Sequence, residues 1–148
     1  MHLRYDMSNH RTDKFIATYQ KLNKENLHLL SDIYATEIHF SDPLHEVDGL
    51  ADLHQYFAKL YSNVIECRFD ISDAVSVDDN AFVYWTMYYR HPKLSNGQQI
   101  AVAGHSKLTF TGDKISLHKD YFDAGALLYR HIPILGSIIK YIDNKAAE

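Results

Sequence analysis

Two acids and an imidazole are the residues of this 148-residue chain best suited by type and spacing to move protons. The run His118-Lys119-Asp120-Tyr121-Phe122-Asp123 reads as a strand. Alternation places His118, Asp120 and Phe122 on one face and Leu117, Lys119 and Tyr121 on the other. A carboxylate on a half-apolar face must be paired, solvated or kept neutral. A pocket wall meets those conditions and also puts the group to use. The second acid is Asp42, in Ser41-Asp42-Pro43. If both carboxylates face one aromatic-walled cavity, one serves as acid and the other as base. His118 would then assist Asp120, and Tyr89 would donate to a developing oxyanion. Such a set suits proton transfer beside a carbonyl, aldol-type ring closure or hydration. Structural roles compete at each position: a turn cap for Asp42, an ion pair for Asp120, a packed ring for His118.

The elements that must position these groups follow from periodicity. Apolar spacing predicts helices over 12–22 (Phe15, Ile16, Tyr19, Leu22), 27–36 (Leu29, Leu30, Ile33, Tyr34) and 50–62 (Leu50, Leu53, Phe57, Leu60, Tyr61). A short strand over 37–43 stops at Pro43, and 44–49 reads as a loop. Strands are predicted over 66–77, 82–90, 98–110 and 115–122, joined by turns at Asp78-Asp79-Asn80, Asn96-Gly97 and Gly112-Asp113. Strand 82–90 is rich on both faces: Val83, Trp85, Met87 and Tyr89 on one, Tyr84, Thr86 and Tyr88 on the other. Such a strand needs cover on both sides. The plan is α+β: three N-terminal helices and a curved antiparallel sheet enclosing a cone-shaped cavity, with a second subunit against the outer sheet face. The expected ligand contacts are Tyr19, Phe40, Trp85, Met87, Tyr89, Val102, Ser106 and Phe122.

Domain organisation reads as a flexible extension over 1–11, one domain over 12–125, and an amphipathic helix over 126–148. The last carries Leu127, Leu128, Ile132, Ile134, Leu135, Ile138, Ile139 and Ile142, with breaks expected at Pro133 and Gly136. A cap over the cavity mouth is the first reading of this helix, and a membrane-surface or partner-binding helix the second.

Composition narrows the classes. Net charge is −4 and no basic block stands out, so nucleic-acid partners are not expected. A lone cysteine, Cys67, precludes an internal disulfide framework and fits a reducing cytoplasm, where it reads as a small buried hydrophobe. No secretory signal and no apolar run of about 18 residues is evident. No glycine-rich phosphate loop or dinucleotide fingerprint occurs, so no cofactor is expected. His105 falls on the opposite face from Ser106, and the spacing of His105, His118, Asp42 and Asp120 suggests no metal site. The 11 tyrosines and 7 phenylalanines suit a cavity that is apolar in body and polar at its tips, or a dimer interface.

The order of helix, helix, Phe40-Ser41-Asp42-Pro43, a helix preceded by Gly49, and four strands ending in Asp120-Tyr121-Phe122-Asp123 resembles the nuclear transport factor 2-like superfamily. Within it the chain is similar to the SnoaL-like polyketide cyclase, limonene-epoxide hydrolase and ketosteroid isomerase branches, from about Phe15 to Asp123. The resemblance implies a cone of curved sheet and helices, dimeric through the outer sheet face. It also implies catalytic duty for Asp42, at the proton-moving aspartate of ketosteroid isomerases. Asp120 stands at the epoxide-protonating aspartate of limonene-epoxide hydrolases, and SnoaL-type cyclases use an aspartate of the same strand. The chain departs from these patterns elsewhere. Thr18 and Ser106 replace the isomerase oxyanion donors, and Met87 and Tyr89 replace the arginine and second aspartate of the epoxide hydrolases. Phe40 and Asp42 stand at the hydrolases' water-binding tyrosine and asparagine. Two functional readings follow: an acid–base isomerase, cyclase or hydrolase acting on a small apolar molecule, and a non-catalytic binding or interaction module of the same fold.

Overall fold

Asn9 caps α1 (His10–Lys21), its side-chain Oδ1 accepting the backbone N–H groups of Arg11 and Thr12. The computed structural model describes residues 9–127 and 133–147, with side chains of 133–139 outside that description. Residues 1–8 of the expected extension over 1–11 lie outside the described residues. Arg11, assigned to that extension, instead sits in the first turn of α1. Its guanidinium reaches Gly112 O at 3.0 Å and Asp78 O at 3.2 Å, and lies 4.6 Å from the centre of the Phe110 ring. Helix α1 buries Phe15 and Tyr19 against the sheet.

The second helix is much shorter than predicted. A 3-10 turn (Leu27–Leu29) runs into α2 (Leu30–Ile33), and the chain becomes β1 (Tyr34–Ser41). Leu29, Leu30, Ile33 and Tyr34 fit one helical turn, but Tyr34, Ile38 and Phe40 also share a period of two. Pairing of Tyr34 with Ile115 and of Phe40 with His118 decides for the strand. The expected loop over 44–49 contains β2 (Glu46–Asp48), which pairs with β1 and is pinned by His39 between Asp48 and Glu46. Gly49 follows with φ +89, the left-handed turn that starts α3 (Leu50–Asn63).

Four long strands complete the sheet: β3 (Glu66–Val77), β4 (Asn80–Arg90), β5 (Ile100–Thr111) and β6 (Lys114–Phe122). The six strands lie in the order β2-β1-β6-β5-β4-β3. The curved sheet is antiparallel as expected except at β1 and β6, which run parallel. These two strands are remote in sequence, so no hairpin fixes their relative direction. Alternation holds along β4, where Val83, Trp85, Met87 and Tyr89 are buried and Tyr84 is exposed. The buried face meets α1, α2 and α3 around a core that includes Phe15, Leu30, Ile38, Leu53 and Phe57. On the outer face Tyr84, His105 and Tyr121 stack in a row across three strands.

Beyond β6 come α4 (Ala124–Leu127) and α5 (Pro133–Ala147). Pro133 begins α5 rather than breaking it, since a first-turn residue needs no amide donor. Leu128 and Ile132 of the expected apolar stripe lie outside the described residues, while Tyr141 and Ile142 are exposed. No helix among the described residues is long and apolar enough to cross a membrane.

Candidate functional site

The sheet and helices leave a cavity of about 160 Å³, walled by Tyr19, Phe40, Tyr56, Phe57, Phe69, Trp85, Tyr89 and Phe122 with Met87, Cys67 and three leucines. Asp42, His45 and Asp120 are its only other lining side chains among the described residues, and none of these is a lysine or arginine. The volume is close to that of an apolar protein cavity able to take one benzene-sized ring, about 150 Å³. Leu127 of α4 also lines this cavity.

Asp120 is positioned by strand register. It pairs across β5–β6 with Ser106, and His118 precedes it by two residues on the same face. Ser106 Oγ donates to Asp120 Oδ1 at 2.5 Å, and His118 Nε2 lies 2.6 Å from the same oxygen. Asp120 Oδ2 has no hydrogen-bond partner among the described residues and belongs to the residue that lines the cavity. The carboxyl side chain is 16% exposed, whereas His118 is fully buried. No lysine pairs with Asp120 among the described residues.

A chain of hydrogen bonds runs behind this carboxyl. Trp85 Nε1 donates to Ser106 Oγ at 2.9 Å, so the hydroxyl hydrogen of Ser106 is directed at Asp120. Trp85 can reach Ser106 because its cross-strand partner is Gly104, where a Cβ would lie 2.5 Å from the indole ring. On the other side, Tyr34 Oη is 2.7 Å from His118 Nδ1 and 2.5 Å from Tyr19 Oη. For a neutral imidazole one polarity satisfies every atom. Tyr19 donates to Tyr34, Tyr34 donates to Nδ1, and Nε2–H donates to Asp120. The rings of Phe15, Tyr19, Tyr34 and Phe40 pack against the buried imidazole and restrict its orientation.

Asp42 is held differently. Its Oδ1 accepts the backbone N–H groups of Leu44 and His45, both at 2.7 Å, in a turn closed around Pro43. Its Oδ2 accepts Tyr56 Oη–H at 2.9 Å, and His45 Nδ1 lies 3.2 Å from Oδ1. The side chain is only 7% exposed.

Burial pushes the phenols of Tyr19, Tyr34 and Tyr56 well above the ordinary tyrosine range, with Tyr34 and Asp120 adding to it at Tyr19 and both aspartates at Tyr56. Burial likewise raises Tyr89. The Cys67 thiol is pushed up to about 12, again chiefly by burial, so it stays protonated at neutral pH and is no nucleophile there.

Of the residues expected at the site, Tyr19, Phe40, Asp42, Trp85, Met87, Tyr89, Asp120 and Phe122 line one cavity. Val102 does not: it is 1% exposed within the core. Ser106 and His118 touch the site through Asp120 rather than directly. Neither residue at the isomerase oxyanion positions is free to donate into the cavity. Thr18 Oγ1 donates to Lys14 O at 2.8 Å, and Ser106 donates to Asp120. The phenol of Tyr89 has no hydrogen-bond partner among the described residues and is the free neutral donor of the wall. Tyr34, Tyr56, Phe57 and Phe69 were not anticipated. Tyr56 was within reach, being three residues after Leu53 and four before Leu60 on α3. Among the described residues no group of three or more His, Cys, Asp or Glu could hold a metal ion.

Residues 15–118 match the SnoaL-like domain model, a stretch that ends two residues before Asp120. No curated protein matches the chain. Solved structures share the fold at low identity. A candidate polyketide cyclase from Acidithiobacillus ferrooxidans is 18% identical with a TM-score of 0.70, over 85% of this chain and 96% of that one. A candidate SnoaL-like polyketide cyclase from Jannaschia sp. CCS1 is 10% identical with a TM-score of 0.73, over 86% and 95%. A protein of ketosteroid isomerase-like fold from Catenulispora acidiphila, solved with trimethylamine, is 15% identical with a TM-score of 0.70, over 82% and 91%.

Proposed function

This chain belongs to the SnoaL-like domain family of the nuclear transport factor 2-like superfamily, and we propose that it binds a small, mostly apolar organic molecule in its cavity and moves a proton on it with Asp120. The observation that carries this reading is the asymmetry of the Asp120 carboxyl. Oδ1 is held by Ser106 and His118, while Oδ2 of this cavity-lining residue has no hydrogen-bond partner among the described residues. A base fixed through one oxygen and open at the other is ready to take a proton from a bound C–H or O–H. His118 and Tyr34 accompany the charge change as a relay of buried donors. Tyr89 would donate to the oxygen on which negative charge develops. Isomerisation, cyclisation and hydration all begin with such a transfer. The names of the Acidithiobacillus and Jannaschia neighbours point the same way. A one-ring cavity favours a small substrate, or one end of a larger one.

We assign Asp42 a second, structural role at the mouth, since both of its oxygens are occupied. The outer sheet face, with Tyr84, Leu117 and Tyr121 exposed, is assigned to a second copy of the chain.

A base-sensitive probe tests the catalytic assignment. Nitrobenzisoxazole loses its ring C–H proton to a base, its N–O bond breaks, and the coloured cyanonitrophenolate forms. The protein should accelerate this over buffer, and Asp120→Asn should remove about a hundredfold or more of the acceleration. Turnover unchanged in Asp120→Asn would leave the non-catalytic binding reading in its place.

A further inference from the structure

We propose that the cavity selects an organic cation: a compact alkylammonium or protonated amine carried on a one-ring or branched apolar group. This rests on the reading of the cavity as a ligand site and names the chemical class of the ligand. Three features of the wall converge on it.

The first is the sign of the wall. Asp42 and Asp120 line the cavity, and among the described residues no lysine or arginine does. The nearest lysine in sequence, Lys119, is on the other face of β6, its ammonium 4.9 Å from the centre of the Tyr121 ring. His45, the single basic side chain of the wall among the described residues, is half exposed and already engaged by Asp42. No free cation among the described wall residues would compensate an anionic ligand.

The second is Asp120 Oδ2. A ligand that fills the cavity shields this oxygen from solvent, and no donor among the described residues meets it. A purely apolar ligand leaves an unpaired buried acceptor, which is unfavourable. A ligand N–H or a quaternary ammonium repairs that loss, and a cation does so with charge. Asp42 has no such vacancy, because its oxygens are met by Tyr56, His45 and two backbone amides.

The third is the aromatic lining. Eight aromatic side chains border a volume of about 160 Å³. Ring faces carry the negative end of the quadrupole, and in a desolvated site they attract ammonium groups. Phenols that burial keeps protonated retain this character across the neutral range.

Trp85, the only tryptophan, lies in the wall and reports occupancy by fluorescence. Three probes of one shape separate charge from size: phenyltrimethylammonium, its neutral isostere tert-butylbenzene, and the anion benzenesulfonate. The cation should bind roughly tenfold more tightly than tert-butylbenzene, and benzenesulfonate more weakly than either. Asp120→Asn should bring the cation-to-neutral ratio close to one, a quantity measured within one protein and so independent of its overall stability. Equal or tighter binding of tert-butylbenzene or benzenesulfonate by the native protein overturns the cation assignment alone. An unchanged ratio in Asp120→Asn also overturns it. Failure of all three probes to bind overturns the ligand-site reading together with it.

Discussion

The two carboxylates of the cavity are the same residue type in the same wall, held in opposite ways. Asp42 spends both oxygens on its own loop and on Tyr56. Asp120 takes two donors on one oxygen, and the other has no partner among the described residues. The difference comes from the backbone beneath each. A turn ahead of a short edge strand supplies amides at close range, so its acid is consumed locally. A central strand spends its amides on the sheet ladder, so its acid must find side chains, and here the register supplies only Ser106 and His118. An acid on a regular strand can thus be oriented without being used up, while an acid in a turn becomes part of the turn.

Substitutions can break this contrast or sharpen it. The largest loss of stability is expected from Gly104→Ala, whose Cβ would press on the Trp85 ring and on Tyr121 O. It should cost about 3 kcal/mol in denaturant unfolding and shift Trp85 emission as the indole leaves Ser106. Next comes His118→Phe. The ring volume is kept, but Tyr34 and Asp120 each lose a buried partner, for about 2 kcal/mol and a loss of probe turnover. Asp42→Ala should cost about 1 kcal/mol, because water replaces part of what Leu44 and His45 lose. Its turnover should stay within about tenfold of the native value, the margin that separates a loop acid from a proton carrier.

The smallest effect concerns His39, which clasps β2 to β1 on the Asp42 side. Its hydrogen bond with Asp48, chiefly, raises its pKa above the usual 6.5. The sign follows from linkage. The folded state binds the proton more tightly, so the stabilisation is complete below about pH 6.5 and is lost as pH rises through the folded value. His39→Gln should remove this small decline of stability between neutral and mildly alkaline pH, read by thermal unfolding at matched salt.

Much of the inner face of the sheet was legible in the sequence. Alternation along 118–122 and 83–89 placed Asp120, Phe122, Trp85, Met87 and Tyr89 on one wall, because a strand has only two faces and burial chooses between them. The relay behind Asp120 was not legible. Tyr34 lies at a junction where a helical turn becomes a strand, and one residue's neighbours fit both periods. Only pairing with β6, 81 residues later in sequence, decides it. The fate of Asp42 was equally hidden, since Ser-Asp-Pro is compatible with a turn cap and with a wall residue, and the structure makes it both. Val102 shows the reverse error: it is on the buried face of β5 but packs within the core instead of lining the cavity.

The most direct test of the contrast is the ratio of nitrobenzisoxazole turnover in Asp120→Asn to that in Asp42→Asn, each measured on protein verified as folded. A base with one free oxygen at Asp120 and a loop acid at Asp42 predict that Asp120→Asn loses at least about tenfold more activity than Asp42→Asn. Equal losses, or a greater loss at Asp42, would contradict the assignment of proton transfer to Asp120.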